Sequence, residues 1–443
     1  MVTSPPNLTE SKSERLHHLD ALRATAMLLG IVLHASLAYT GGPWIVRDAG
    51  HPGFAVTFFA IHGFRMQLFF LLSGFFTALL WRRLGLAGLL KQRAARIALP
   101  LFLGLFTIIP LLWAVVAWAG AVQETTAEAA AVTADATGSA ASVADELATT
   151  NQASKPRPIA VALWFLFRFP VFHHLWFLWF LCWMIAGFAI VAWCAERGVG
   201  RSVSSWLRAP SAVTRLFVGS AGALIWLVPL TIITYALMKV TEEGAVFGPD
   251  TSGGLLPLPG VLFHYSVFFL MGALLFEVPD AMRGFSRRWV LALIGAVVLF
   301  PFAAGFALGL PWSHGLVPNT AAHRTLAFTG QALYAWLASI ALLGLFARFV
   351  ASERPLFRYL ADSAYWLYLA HLPLVVAGQI LLRGVDWPPL LKFVVLTLGS
   401  TALLLLSYEF CVRRTWLGAM LNGRLAGERE RPRGGLRDET PAT

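Results

Sequence analysis

Apolar runs long enough to cross a bilayer recur along this chain from residue 24 to residue 412, and little else about its sequence constrains the fold as strongly. In hydrocarbon every backbone N–H and C=O must be bonded within the spanning structure, so a run of about 20 apolar residues reads as a transmembrane helix. The balance of residue types agrees: 58% of the 443 residues are hydrophobic and 13% are charged, where soluble proteins carry roughly a quarter charged. The expectation is an all-α integral membrane protein of about ten transmembrane helices. The spans are placed near 20–39, 54–81, 97–119, 174–195, 213–238, 256–278, 289–310, 327–350, 358–383 and 388–412. Residues 159–172, which contain Arg168 and Pro170, are expected to lie in the interface.

The net charge of +11 could suggest nucleic acid, but the positions of the basic residues exclude it. Of the 34 Lys and Arg, 25 fall in alternate connections: the start of the chain through Arg23, 82–96, 197–215, 283–288, 348–358 and the stretch after 412. By the positive-inside rule these face the cytoplasm, which places both termini there and makes the chain a multi-pass protein of the bacterial inner membrane. The opposite connections carry Glu124, Glu128, Asp135, Asp145 and Glu146 in one loop, and Glu242, Glu243 and Asp250 in another. The organisation that follows is a cytoplasmic tail (1–19), a transmembrane domain (20–412) and a basic cytoplasmic tail (413–443). Within the domain, 120–158 is rich in Ala and Thr, is acidic, and reads as a flexible periplasmic linker. Residues 1–23 are polar and no cleavage site follows the first apolar run, so that run is expected to remain as a helix. Cys182, Cys194 and Cys411 show no CxxC spacing and read as structural thiols.

Ionisable side chains inside a membrane are costly unless paired or hydrated, so each marks a functional candidate. In the first span, LDALRATAMLLGIVLHASLAY, Arg23 and His34 are eleven residues apart. That is about 1100° of helix rotation, so they share a face, with His34 roughly 16 Å deeper. Asp20 lies one turn below Arg23. The second span, FFAIHGFRMQLFFLLSGFF, holds His62, Arg65, Gln67 and Ser73, with His62 and Ser73 expected on one face. HHLWFLWF opens the fourth span with His173, His174, Trp176 and Trp179, and an aromatic belt accounts for the tryptophans but not for the paired histidines. The ninth holds SAYWLYLAH, where Tyr365, Tyr368 and His371 follow one side. His264 reads as a satisfied structural histidine, and Glu409 as a partner for nearby arginines. Ahead of the third span stand Lys91, Arg93 and Arg96, whose clustering satisfies the positive-inside rule and also suits a phosphorylated donor.

These residues resemble the acyltransferase-3 family of membrane proteins. The family's Arg-ten-residues-His element is met by Arg23 and His34, its FFxLSG element by FFLLSGFF at 69–76, its RxxR element by Arg93 to Arg96, and its SYxxYLxHxP element by SAYWLYLAHLP at 363–373. Within the family, IHGFRMQLFFLLSGFF, HHLWFLWFL and YEF near 408 resemble the branch that succinylates osmoregulated periplasmic glucans.

The resemblance implies transfer of an acyl group, succinyl in that branch, from cytosolic acyl-coenzyme A to hydroxyls of a periplasmic glucan or another envelope glycan. Acyl-coenzyme A is then a donor substrate, with no permanently bound cofactor. Its docking residues are Arg23, Lys91, Arg93, Arg96 and Ser73; His34, with Asp20, is the catalytic candidate, as base or acyl carrier. His62, Arg65, Gln67, His174, Trp176, Trp179, Tyr365, Tyr368 and His371 are the candidates for binding acyl group and acceptor. Two alternatives stay open, an O-acetyltransferase acting on a different envelope glycan and a transporter of a small carboxylate or sugar, because inward-facing charges also line transport pathways. A metal enzyme is disfavoured because no HxxxH or HxxHH spacing occurs. Association of copies of the chain is left open.

Overall fold

The structure is a computed structural model that describes residues 16–135, 158–198, 212–238, 247–278, 280–317, 319–350, 352 and 354–422. It is helical throughout, with no strand among the described residues. The long helices are α1 (His17–Ser36), α2 (Pro52–His62), α3 (Arg65–Arg93), α4 (Leu99–Asp135), α5 (Trp176–Glu196) and α6 (Leu224–Met238). They continue with α7 (Pro259–Glu277), α8 (Trp289–Leu308), α9 (Thr320–Phe349), α10 (Pro355–Arg383) and α11 (Pro389–Ser407). Local chemistry marks their starts. Pro stands in the first turn of α2, α7, α10 and α11, where its missing N–H costs nothing. Asn319 caps α9 by accepting from Ala322 N at 3.0 Å.

Nine segments among the described residues are long and apolar enough to cross a bilayer, so this is a multi-pass membrane protein. One of them, Pro52–Glu124, covers two of the expected spans. It cannot be one straight rod, because 73 residues of helix would reach about 110 Å. It folds back at Gly85, whose φ of 68° and ψ of 179° suit only a residue without a Cβ. The reversal brings Arg93 Nη2 within 3.1 Å of Thr77 Oγ1, residues that a continuous helix would hold about 24 Å apart. A π turn at Ala94–Ala98 then leads into α4.

Three pairings organise the bundle: α8 with α9, α3 with α7, and α1 with α10. The α3–α7 crossing is close because glycines face backbone on both sides. A Cβ on Gly74 would strike the Phe269 carbonyl, and one on Gly272 the Leu71 carbonyl. The resulting core holds Trp336, stacked on Phe268 at 4.1 Å.

Two expectations about local structure change. The second span is broken between His62 and Arg65, where Phe64 leaves helical geometry (φ −135°, ψ −22°), so helical periodicity does not relate His62 to Ser73. Residues 120–135, expected as flexible linker, continue α4 as helix, in keeping with the high helix propensity of Ala. The linker's remainder at 136–157, the tail at 1–15, the connection at 199–211 and the tail at 423–443 lie outside the described residues. The helix Pro158–Phe167 exposes Leu163, Trp164 and Phe165, and at ten residues it is too short to cross.

Candidate active site

α1 carries polar groups at both ends. Asp20 and Arg23 stand in its first two turns, His34 in its last. Arg23 Nη2 pairs with Asp20 Oδ1 at 3.1 Å. Asp20 is therefore engaged about 21 Å along the helix from His34, so it does not orient the imidazole, contrary to the expectation that paired them. Together with His17, Arg354, Arg358 and Asp362, these two line a small cleft of about 50 Å³.

The other end of α1 opens into a cavity of about 500 Å³, and the chain brings histidines to it from four places. His34 comes from α1, His62 from the end of α2, His173 and His174 from the turn before α5, and His371 from α10. His173 reaches the wall from a left-handed backbone conformation (φ 40°), which few residues other than Gly adopt. The His34 and His371 rings lie 5.1 Å apart, and those of His371 and His174 5.4 Å apart.

Backbone carbonyls decide which nitrogen of each ring is free. Pro373 has no N–H, so the helix cannot bond the Leu369 carbonyl four residues earlier. His174 Nε2 takes that carbonyl at 3.0 Å. A carbonyl only accepts, so Nε2 carries the hydrogen and the buried Nδ1, which has no hydrogen-bond partner among the described residues, is left as an acceptor. His371 Nδ1 donates to the Tyr368 carbonyl at 2.7 Å. Its Nε2 is likewise the acceptor and has no partner among the described residues. Tyr368, also on the wall, donates its hydroxyl to the His174 carbonyl at 2.7 Å and ties the two segments together.

Arg65 lies at the start of α3 and projects against α1. Gly30, one turn before His34, makes the space: a Cβ there would overlap Arg65 Nη1. Arg65 forms no ion pair with any described residue. Asp250 supplies a carboxylate on the wall, and Trp44 and Trp176 supply aromatic surface. No group of three His, Cys, Asp or Glu side chains among the described residues is placed to hold a metal.

Eight of the residues singled out by sequence thus share one cavity: His34, His62, Arg65, His173, His174, Trp176, Tyr368 and His371. The others do not line it. Gln67 is fully buried and donates to the Gly63 carbonyl at 3.0 Å. Trp179 stacks on Phe172 at 4.9 Å. Tyr365 lies deeper, among the charges of Arg93 and Arg96. Ser73 offers its carbonyl to Thr77 Oγ1 at 2.7 Å. Near Thr77, Arg93 has Arg96 and Arg23 as charged neighbours, and Arg23 lies 5.9 Å from the Phe76 ring. Lys91 is exposed beside them. Off the cavity, His264 Nδ1 is 2.8 Å from Thr234 Oγ1, and Glu409 pairs with Arg413 at 2.8 Å.

Sequence reading missed Trp44, Asp250 and Gln379. Gln379 stood in a membrane span and was open to the same reasoning as the histidines, whereas Trp44 sits in a connection where an aromatic residue attracts no notice.

Comparison with known proteins bears on this geometry. Glucans biosynthesis protein C of Escherichia coli O1:K1 / APEC is 42% identical over 102 residues, 23% of this chain and 25% of that protein. The proteins of the same name from strains E24377A and EC4115 match equally. The aligned stretch thus spans about a quarter of those relatives' length. No solved structure matches the chain. The acyltransferase-3 model, described as an acyltransferase domain, matches residues 16–409, and therefore takes in α1 through α11, both ends of α1 and every wall of the cavity. A match over that extent makes the chain a member of the acyltransferase-3 family, a membrane acyltransferase.

Proposed function

We propose that this acyltransferase moves a succinyl group from cytoplasmic succinyl-coenzyme A to hydroxyls of a periplasmic glucan, from the bacterial inner membrane and with both termini in the cytoplasm. One observation carries the reading: three cations, Arg23, Arg93 and Arg96, gather at one end of α1, while the histidine-lined cavity lies at the other. Clustered guanidinium groups suit the phosphates of coenzyme A. Arg23 and His34 are about 16 Å apart along the helix, a span that an extended thioester arm covers.

In the cavity a sugar hydroxyl gives its proton to the His34 imidazole as its oxygen bonds the thioester carbonyl carbon. Collapse of the tetrahedral adduct breaks the carbon–sulfur bond, and the imidazolium returns the proton to the departing sulfur. One ring thus serves as base and acid with no net proton change. Arg65, which has no carboxylate partner among the described residues, takes the succinyl carboxylate in paired charge-assisted hydrogen bonds. The tryptophans and Asp250 bind the acceptor. The likeness to glucans biosynthesis protein C supports the glucan as that acceptor.

Mass spectrometry of periplasmic glycans from a deletion strain and its parent tests the assignment. Loss of succinyl groups from glucans is expected, and an unchanged pattern would overturn the glucan as acceptor.

A further inference from the structure

The last carbonyls of a helix have no partner within it, and in a membrane they must find one elsewhere. At the end of α1 the His34 carbonyl accepts from Gln379 Nε2 at 2.9 Å. The same amide turns its other end to the connection between α1 and α2, where Gln379 Oε1 accepts from Trp44 Nε1 at 2.9 Å. That indole stacks on the His34 imidazole, with centroids 5.9 Å apart and planes inclined by 27°. The His371 ring lies 5.1 Å from the same imidazole. Gln379 is 1% exposed and does not line the cavity, so it touches neither donor nor acceptor.

The connection carrying Trp44 is held at two more points. Gln123 Nε2 donates to the Ile45 carbonyl at 2.8 Å. Lys392 Nζ meets the two oxygens of Asp48 at 2.8 and 3.1 Å. Both ionic side chains are buried, and such a pair repays its desolvation only with this close geometry. Anchored from α4, α10 and α11, Trp44 is a fixed wall.

We propose that Gln379 is a positioning residue for acyl transfer: by holding the His34 carbonyl and the Trp44 indole with one buried amide, it sets the direction in which the imidazole faces the cavity. The proposal rests on the reading of His34 as the base.

The test uses the purified full-length protein with Gln379→Leu, Trp44→Phe and the double variant. The readouts are kcat, KM for donor and acceptor, and the rate at which diethylpyrocarbonate modifies His34, followed by peptide mass spectrometry. Gln379→Leu is expected to lower kcat about 10- to 100-fold, as small misplacements of a catalytic group do, with both KM values little changed and His34 modified faster. Trp44→Phe keeps an aromatic ring but removes the indole donor and part of the cavity wall, so it should move kcat and labelling the same way by less, with KM for acceptor also raised. The double variant should be no worse in kcat than Gln379→Leu, because the two changes interrupt one contact. Unchanged kcat and labelling in either single variant, a loss confined to KM, or multiplying effects on kcat in the double variant would overturn the proposal. If Gln379→Leu does not fold, Trp44→Phe alone decides it. Labelling reports the imidazole's setting whether or not His34 is the base; retained turnover in His34→Ala would remove the base assignment separately.

Discussion

His174 donates through Nε2 to the Leu369 carbonyl at 3.0 Å, across 195 positions of sequence. The contact exists because Pro373 leaves that carbonyl outside the helix ladder. Pro373→Ala would return an N–H to compete for it. A proline inside a helix costs about 3 kcal/mol relative to Ala, so the variant should melt at an equal or higher temperature. Its turnover should nonetheless fall several-fold, since His174 loses the bond that sets its tautomer. Unchanged turnover would show that the histidine's free nitrogen is not used.

His34→Ala should abolish acylation while the protein still inserts and binds donor. Loss of a general base typically costs about 100- to 10,000-fold in rate. Arg23→Ala should instead raise KM for acyl-coenzyme A. If purified His34→Ala keeps more than roughly a tenth of wild-type turnover, the base would have to be His371, whose Nε2 is also an acceptor nitrogen on the wall.

Arg65→Met should impair succinyl transfer much more than acetyl transfer, measured side by side with the two thioesters, because only succinyl carries a carboxylate. Gly30→Ala should do the same without removing the charge, since its Cβ displaces the guanidinium. Equal loss of both activities would assign Arg65 a structural role.

Gly85→Ala should be destabilising by about 1–3 kcal/mol, the cost of holding a side chain in a region that suits glycine alone. The change should be visible as a lower melting temperature in detergent. A protein as stable as the parent would mean that the reversal between α3 and α4 is set elsewhere.

Alkaline phosphatase fused after residue 150 should be active, and fused after residue 205 inactive, as the distribution of basic residues requires. The reverse result would invert the orientation proposed for the cavity.

Sequence alone determined the class of fold and the approximate places of the spans. In lipid, backbone satisfaction leaves a long apolar run few alternatives to a helix, so local composition decides. It also exposed His34, His62, Arg65, His174 and His371, because an ionisable group in hydrocarbon is conspicuous wherever it falls. Tertiary structure decided what those residues are to one another. Helix periodicity placed Asp20 nearly on the face of His34, yet face is not contact: about 21 Å of helix separates them, and Asp20 pairs with Arg23 instead. Periodicity also failed at Phe64, where the chain leaves helical geometry inside an apolar run. The free nitrogen of His174 was not legible, since it depends on a carbonyl 195 positions away that only packing supplies. Gln379 joins His34 and Trp44 across more than 300 positions, and no local pattern encodes such a meeting. Spans follow from the solvent that surrounds each residue, whereas the site follows from which spans lie side by side.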